Sequence, residues 1–160
     1  MKVVVDTNVA VVTNGGSQQA TPACVVACNQ RLNRVQKEGI VLDESWHILR
    51  EYMRNLRSDG EPGVGDEFLK WVLTIKADPR FCAWVHINPQ NGSYAEFPSD
   101  PELASFDPSD RKFVAVALAH PDRPPILNAT DSDWWHHRDA LARHGVTVDF
   151  ICPDMPFSET

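Results

Sequence analysis

Four acidic residues stand where short apolar runs give way to polar turns or helix starts. Asp6 closes Val3-Val4-Val5, Glu44 follows Ile40-Val41-Leu42-Asp43, and Asp131 follows Ile126-Leu127-Asn128-Ala129-Thr130. Asp110 lies in the first turn of a helix expected to open at Asp107-Pro108, and Asp133 shares the turn of Asp131. Carboxylates crowded into one pocket raise each other's pKa, so they stay ionised together only when cations neutralise them. An oxygen-only ligand set selects a hard ion, here Mg²⁺ or Mn²⁺, which keeps several waters and takes further ligands from phosphate. The chemistry expected of Asp6, Glu44, Asp110 and Asp131 is therefore phosphodiester hydrolysis, with one or two ions ~4 Å apart activating water and offsetting charge on the leaving oxygen. Asp131 is preferred to Asp133 as the last position, with Asp133 as an additional ligand.

Each acid also has an ordinary structural explanation. Asp6 could end a strand in a turn, and Glu44 could complement a helix N-terminus for ~0.3–1 kcal/mol. Asp110 beside Asp107 is what helix capping alone would place there. The ordered set, rather than any one residue, favours chemistry. Arg50, Arg54 and Arg57 form one row on a helix and, with Arg111 and Lys112, could meet phosphate, although a solvated face is the expected explanation of the row. In Trp134-Trp135-His136-His137, adjacent histidines point about 100° apart and grip one ion poorly, so core tryptophan and surface histidine are expected. Cys24, Cys28, Cys82 and Cys152 lack paired zinc spacing and are expected to be buried free thiols.

The elements that must position the acids follow from the pattern. Val3–Val5, Ile40–Leu42, Ile126–Ala129 and Val146–Ile151 read as short buried strands. Thr21-Pro22 caps a helix through Val25, Cys28, Leu32 and Val35 that Gly39 stops. Trp46, Leu49, Tyr52, Met53 and Leu56 mark a second helix, and Phe68, Trp71, Val72 and Ile75 a third, separated by the breaker Ser58-Asp59-Gly60-Glu61-Pro62-Gly63. Residues 76–108 read as an irregular connection with one strand near Phe81–Ile87; helices then run through Phe113–Ala119 and from Trp134 to about His144. Strands alternating with helices predict an α/β three-layer sandwich with a central, mainly parallel sheet, and such sheets bind ligands at the carboxyl ends of their strands. One domain over residues 1–153 and a tail over 154–160 are expected.

Composition agrees with an ordinary globular chain: 160 residues, 42% hydrophobic and 23% charged. No apolar run reaches the ~20 residues of a membrane span, and Met1-Lys2 leads directly into the first strand, so no membrane association and a cytoplasmic location are expected. The net charge of −7 argues against general adhesion to nucleic acid, but bound cations invert the local field at an acidic site.

Over nearly its whole length the sequence resembles the PIN-domain nucleases. Val3-Val4-Val5-Asp6-Thr7-Asn8-Val9 is similar to the family's opening strand and first acid, and Val41-Leu42-Asp43-Glu44 to its second acidic position. Asp110-Arg111-Lys112-Phe113-Val114-Ala115-Val116-Ala117 resembles the third and Ala129-Thr130-Asp131-Ser132-Asp133-Trp134 the last, although Asn128-Ala129 departs from the threonine many members carry there. The resemblance implies a metal-dependent endoribonuclease, with Thr7, Asn8, Arg111 and Lys112 toward substrate. Its implied partners are a nucleic acid substrate, RNA first, a small antitoxin protein as in toxin–antitoxin modules, and a second copy of the chain in a homodimer. The alternatives are a DNA-directed or structure-selective nuclease, and a PIN-like binding module without turnover. A haloacid-dehalogenase-type phosphatase would need Asp-x-Asp on the first strand, where Asn8 stands.

Overall fold

A computed structural model describes residues 1–57 and 63–153; residues 58–62, within the expected breaker, and 154–160, the expected tail, lie outside the described residues. The chain runs β1 (Val4–Val5), α1 (Thr7–Thr13), α2 (Pro22–Glu38), β2 (Ile40–Asp43), α3 (His47–Asn55), α4 (Val64–Ile75) and β3 (Cys82–Val85). A hairpin of β4 (Pro89–Gln90) and β5 (Ser93–Tyr94) follows, then 3₁₀ turns at Pro101–Leu103 and Pro108–Asp110. The remainder is α5 (Arg111–Ala119), β6 (Ile126–Asn128), α6 (Ser132–His136), α7 (Arg138–Arg143) and β7 (Val148–Phe150).

The fold is mixed α/β around a small, mostly parallel sheet. β1 pairs with β6 and β6 with β7, β2 pairs with β3, all in parallel, and a parallel bridge between Val3 and Ile40 links the two groups. The strands are short and apolar because they are covered: every residue of β1, β2 and β6 is buried. α5 explains why its own sequence is so uniformly apolar, since Phe113 through Ala117 are all buried and the helix packs on β1, β2, β6 and α3. Among the described residues no helix is long and apolar enough to cross a membrane.

Several elements depart from the expectations. α1 was not foreseen, because Thr7–Thr13 carries a β-branched run without a clear helical stripe; it forms where Asp6 caps its first turn and Val9, Ala10 and Val12 are buried. On α2, Cys24, Cys28, Leu32 and Val35 are buried, and Val25 is half-buried against the same core. The stretch read as irregular supplies β3 in register with β2 and the β4–β5 hairpin, and the single helix expected over 134–144 is broken into α6 and α7 at His137. The expectation of four free thiols is corrected: Cys24 and Cys152, separated by 128 residues, form a disulfide joining α2 to the chain after β7, while Cys28 and Cys82 are free and buried. Spacing along a chain carries no information about a pair that distant.

α1 and α4 approach closely at one glycine. Asn14 ends α1 and turns its amide oxygen to the backbone N–H groups of Gly65 (2.7 Å) and Asp66 (3.2 Å), capping α4 from across the interface. A Cβ at Gly65 would stand 2.1 Å from the carbonyl oxygen of Ala10. Gly65→Ala must push the helices apart, and chemical denaturation should show a loss of ~1–3 kcal/mol; unchanged stability would contradict this packing.

Candidate metal centre

Asp6 and Asp131 are brought together by strand register. Val5 lies opposite Leu127 in the parallel β1–β6 pair, so both chains leave the sheet at the same edge, one at Asp6 and the other through Asn128 toward Asp131. Asn8 fixes the two exits: its amide donates to Asn128 Oδ1 (2.8 Å) and its oxygen accepts from the Ala129 N–H (2.8 Å). The fully buried Asn128 in turn donates to the Asp131 carbonyl at 3.0 Å. Asn128 thus holds the turn that presents Asp131.

Asp110 arrives from the other direction, at the end of the 3₁₀ turn that feeds α5. Asp107, not Asp110, caps that turn, accepting from the Ser109 N–H at 2.9 Å, and Asp110 makes no side-chain capping hydrogen bond. Capping therefore does not explain Asp110. One carboxylate oxygen from each of Asp6, Asp110 and Asp131 lies within 4.8 Å of the others, with Asp6 and Asp110 buried and Asp131 half-buried.

Asp6 is tightly held: Oδ1 accepts the Asn8 N–H (2.9 Å) and Oδ2 accepts the indole N–H of the buried Trp134 (2.8 Å). Those bonds favour its ionised form, but burial outweighs them and, with the charges of Glu51 and Asp131, pushes its pKa up to about 7. Burial likewise lifts Asp110 to about 9, aided by the charge of Asp6 and by a hydrogen bond and charge from Asp131. Without a counter-ion the cluster resolves its repulsion by keeping protons. Each carboxylate oxygen carries two lone pairs, so the hydrogen bonds on Asp6 leave acceptor capacity for a cation.

Glu44 is not part of this group. Its side chain is exposed and faces His86, with Oε2 3.6 Å from Nδ1, while the neighbouring Asp43 is buried and caps α3 through the N–H groups of His47 and Ile48 at 2.9 Å each. The acid that α3 brings toward the cluster is Glu51, which sequence reasoning missed. Its carboxylate accepts from the Thr7 hydroxyl, pairs with Lys112 Nζ at 2.7 Å, and is close enough to raise the pKa of Asp6. The signal was present: Glu51 falls on the helix face of Ile48 and Tyr52, which are buried, so a carboxylate interrupts an apolar stripe.

The residues expected to face substrate are mostly spent elsewhere. Thr7 holds Glu51, Asn8 ties β1 to β6, and Lys112 is buried with Glu51 and the Ser109 carbonyl. Arg111 donates to the carbonyls of Ala104 (3.0 Å) and Phe106 (2.9 Å) and lies over the Phe97 ring. Asp133 accepts from the Asp107 N–H (2.8 Å) and faces His137 (3.2 Å), leaving Asp131 as the member of its turn that joins the cluster. Trp134 is in the core as expected; His137 is half-buried against Phe106 rather than at the surface.

No family model, no curated protein and no solved structure matches this chain.

Raised carboxyl pKa values set the sign of a pH effect. Between the unfolded value near 3.8 and the folded values, the native state holds more protons than the unfolded state, so stability falls as pH rises through that window. In chelator, Asp110→Asn should therefore stabilise the protein at pH 8 by on the order of 2 kcal/mol, and less at pH 5. Thermal unfolding at both pH values checks this, and destabilisation at pH 8 would show that the carboxyls do not repel.

Proposed function

We propose that the chain is a metal-dependent phosphodiester hydrolase, a nuclease, in which Asp6, Asp110 and Asp131 hold a divalent cation. The observation that carries this is the meeting, within 4.8 Å, of three carboxylates from β1, the start of α5 and the turn after β6. The donor set fits a hard ion: all oxygen, and crowded enough that two members keep protons until positive charge arrives. The likeness to PIN-domain nucleases in the three stretches that carry Asp6, Asp110 and Asp131 supports RNA as the first substrate to test, and Mg²⁺ or Mn²⁺ as the ion. The antitoxin and the second copy implied by that likeness belong to the same proposal.

Such an ion would supply Lewis-acid polarisation of a phosphate ester and acidify a water. The chain's own groups prepare the place. Trp134 and the Asn8 N–H fix both oxygens of Asp6, so its orientation does not depend on the ligand. Asp110 releases its proton as positive charge is bound, which makes binding pH-dependent. Glu51, anchored by Thr7 and Lys112, stands beside Asp6 as the fourth carboxylate, and Lys112 balances part of the local negative charge.

Labelled RNA and matched DNA, incubated with the protein and Mn²⁺ or Mg²⁺ with and without chelator, test this. Cutting should require metal and fall on the order of 10²-fold or more in Asp6→Asn. Glu51→Gln should lower activity ~10–100-fold as an outer-shell change, whereas Glu44→Gln should leave it near the unaltered rate. Cleavage indifferent to chelator and to Asp6→Asn would overturn the mechanism, and equal loss in Glu44→Gln would overturn the assignment of the fourth acid.

A further inference from the structure

Trp46 is a large aromatic residue in an unfavourable place. It precedes α3 with φ 66° and ψ 24°, the left-handed region that bulky side chains rarely adopt, and it is 39% exposed. Its ring stacks against Trp84, with centroids 6.4 Å apart and planes inclined by 23°. Trp84 is itself fixed, donating its indole N–H to the Lys76 carbonyl at 2.8 Å. One face of an exposed indole is thus braced from behind by an immobilised second indole.

The helix after Trp46 presents cations, while Glu44 before it is exposed and faces His86. The chain carries a net charge of −7, yet the exposed residues of α3 after Trp46 include Arg50, Met53 and Arg54, and the helix's one acid, Glu51, is turned toward Thr7 and Lys112. Arg50 and Arg54 are spaced four apart and so lie along one side of the helix. Arg50 also bends back, its guanidinium donating to the Ser45 carbonyl in the turn that carries Trp46. Cations next to an exposed, braced ring match a polyanion whose bases are unstacked, since each unpaired base offers a π face and each linkage a phosphate.

The location fits the same occupant. Trp46 follows the carboxyl end of β2 as Asp6 follows that of β1, and the parallel bridge from Val3 to Ile40 sets these strands side by side. Parallel strands end at one edge, so the indole and the carboxylate cluster share an edge of the sheet. We propose that Trp46, braced by Trp84, stacks an unpaired base of single-stranded nucleic acid while Arg50 and Arg54 contact the adjoining phosphates. This rests on the nuclease proposal for its choice of ligand, and it deepens it by naming a strand-binding surface outside the carboxylate cluster.

The test is binding of a short labelled single strand to the full chain in chelator, which separates binding from cutting. Trp46→Ala should weaken binding about ten-fold, Trp46→Phe should retain most of it, and the unaltered chain should bind a strand of abasic sugars about ten-fold less well than the normal strand. A matched duplex, whose bases stay stacked, should bind more weakly than either component strand. Arg50→Ala with Arg54→Ala should make the slope of log K against log salt shallower by ~0.7 for each phosphate no longer neutralised. Equal binding of normal and abasic strands by the unaltered chain, or of single strand and duplex, would overturn the proposal without depending on how any variant folds. Metal-dependent cutting with Trp46-independent binding would sink the stacking surface alone; Trp46-dependent binding without any cutting would sink the hydrolase alone.

Discussion

Mutual repulsion among buried carboxyl groups is the constraint around which the rest of this structure is organised. Desolvation and like charge both oppose ionisation of Asp6 and Asp110, and together they lift both pKa values well above the ordinary carboxylate range. Such a cluster cannot contribute to stability by itself, so other interactions must hold it together. The parallel β1–β6 register, the Asn8–Asn128 bridge, the Trp134 indole bond and the apolar packing of α5 against the sheet do so. Their strength is local and largely uncharged. The surrounding framework holds the three side chains together, and the cost of ionising them appears as the fall in stability with rising pH.

α3 shows how one helix serves two surfaces. Its inner side buries Ile48, Leu49 and Tyr52, and the Tyr52 hydroxyl donates to the Val5 carbonyl immediately before Asp6. The same side carries Glu51 to Thr7, the residue immediately after Asp6. Its outer side carries Arg50 and Arg54, and Trp46 immediately precedes it. Asp43 fixes the start of the helix by accepting from His47 and Ile48, so the end of β2 sets both the depth of Glu51 and the exposure of Trp46. A displacement of this turn would move a carboxylate and an aromatic together.

What the sequence revealed and what it hid differ for physical reasons. The strands ending at Asp6 and before Asp131 were legible because short β-branched runs followed by polar turns are a strong local pattern, and Asp110 was legible through the Asp107-Pro108 helix start. Glu44 was preferred to Asp43 because it follows the β2 run and glutamate suits the resembled position, but it lies in the turn before α3 and faces outward, and the inward position falls about one turn into the helix at Glu51. Helical phase, not distance from the strand, decided the matter. β3 and the β4–β5 hairpin were obscured because 76–108 lacks regular alternation, and their pairing depends on β2 being present. The Cys24–Cys152 bond joins residues that only the finished sheet brings together. Thr7, Asn8, Arg111 and Lys112 adjoin the acids along the chain, but hydrogen-bond partners that the sequence does not specify occupy their polar groups.

Under the proposed hydrolase function, an acidic chain and its polyanionic substrate must reconcile two signs of charge. The net charge of −7 repels nucleic acid at long range, and at physiological salt that repulsion decays within a Debye length of about 8 Å. Approach is then governed by what lies locally at the sheet edge. The carboxylate cluster alone would still exclude phosphate, and a bound divalent ion reverses that sign over a few ångströms. An ion at one point cannot orient a flexible strand, however, because a single charge contact leaves the chain free to rotate and slide. A braced indole with two guanidiniums adds what the ion lacks: a flat surface for a base and a second site of positive charge displaced along α3. Trp46 occupies a costly backbone conformation with its ring stacked on Trp84 and 39% exposed, which is the arrangement the proposed base contact requires.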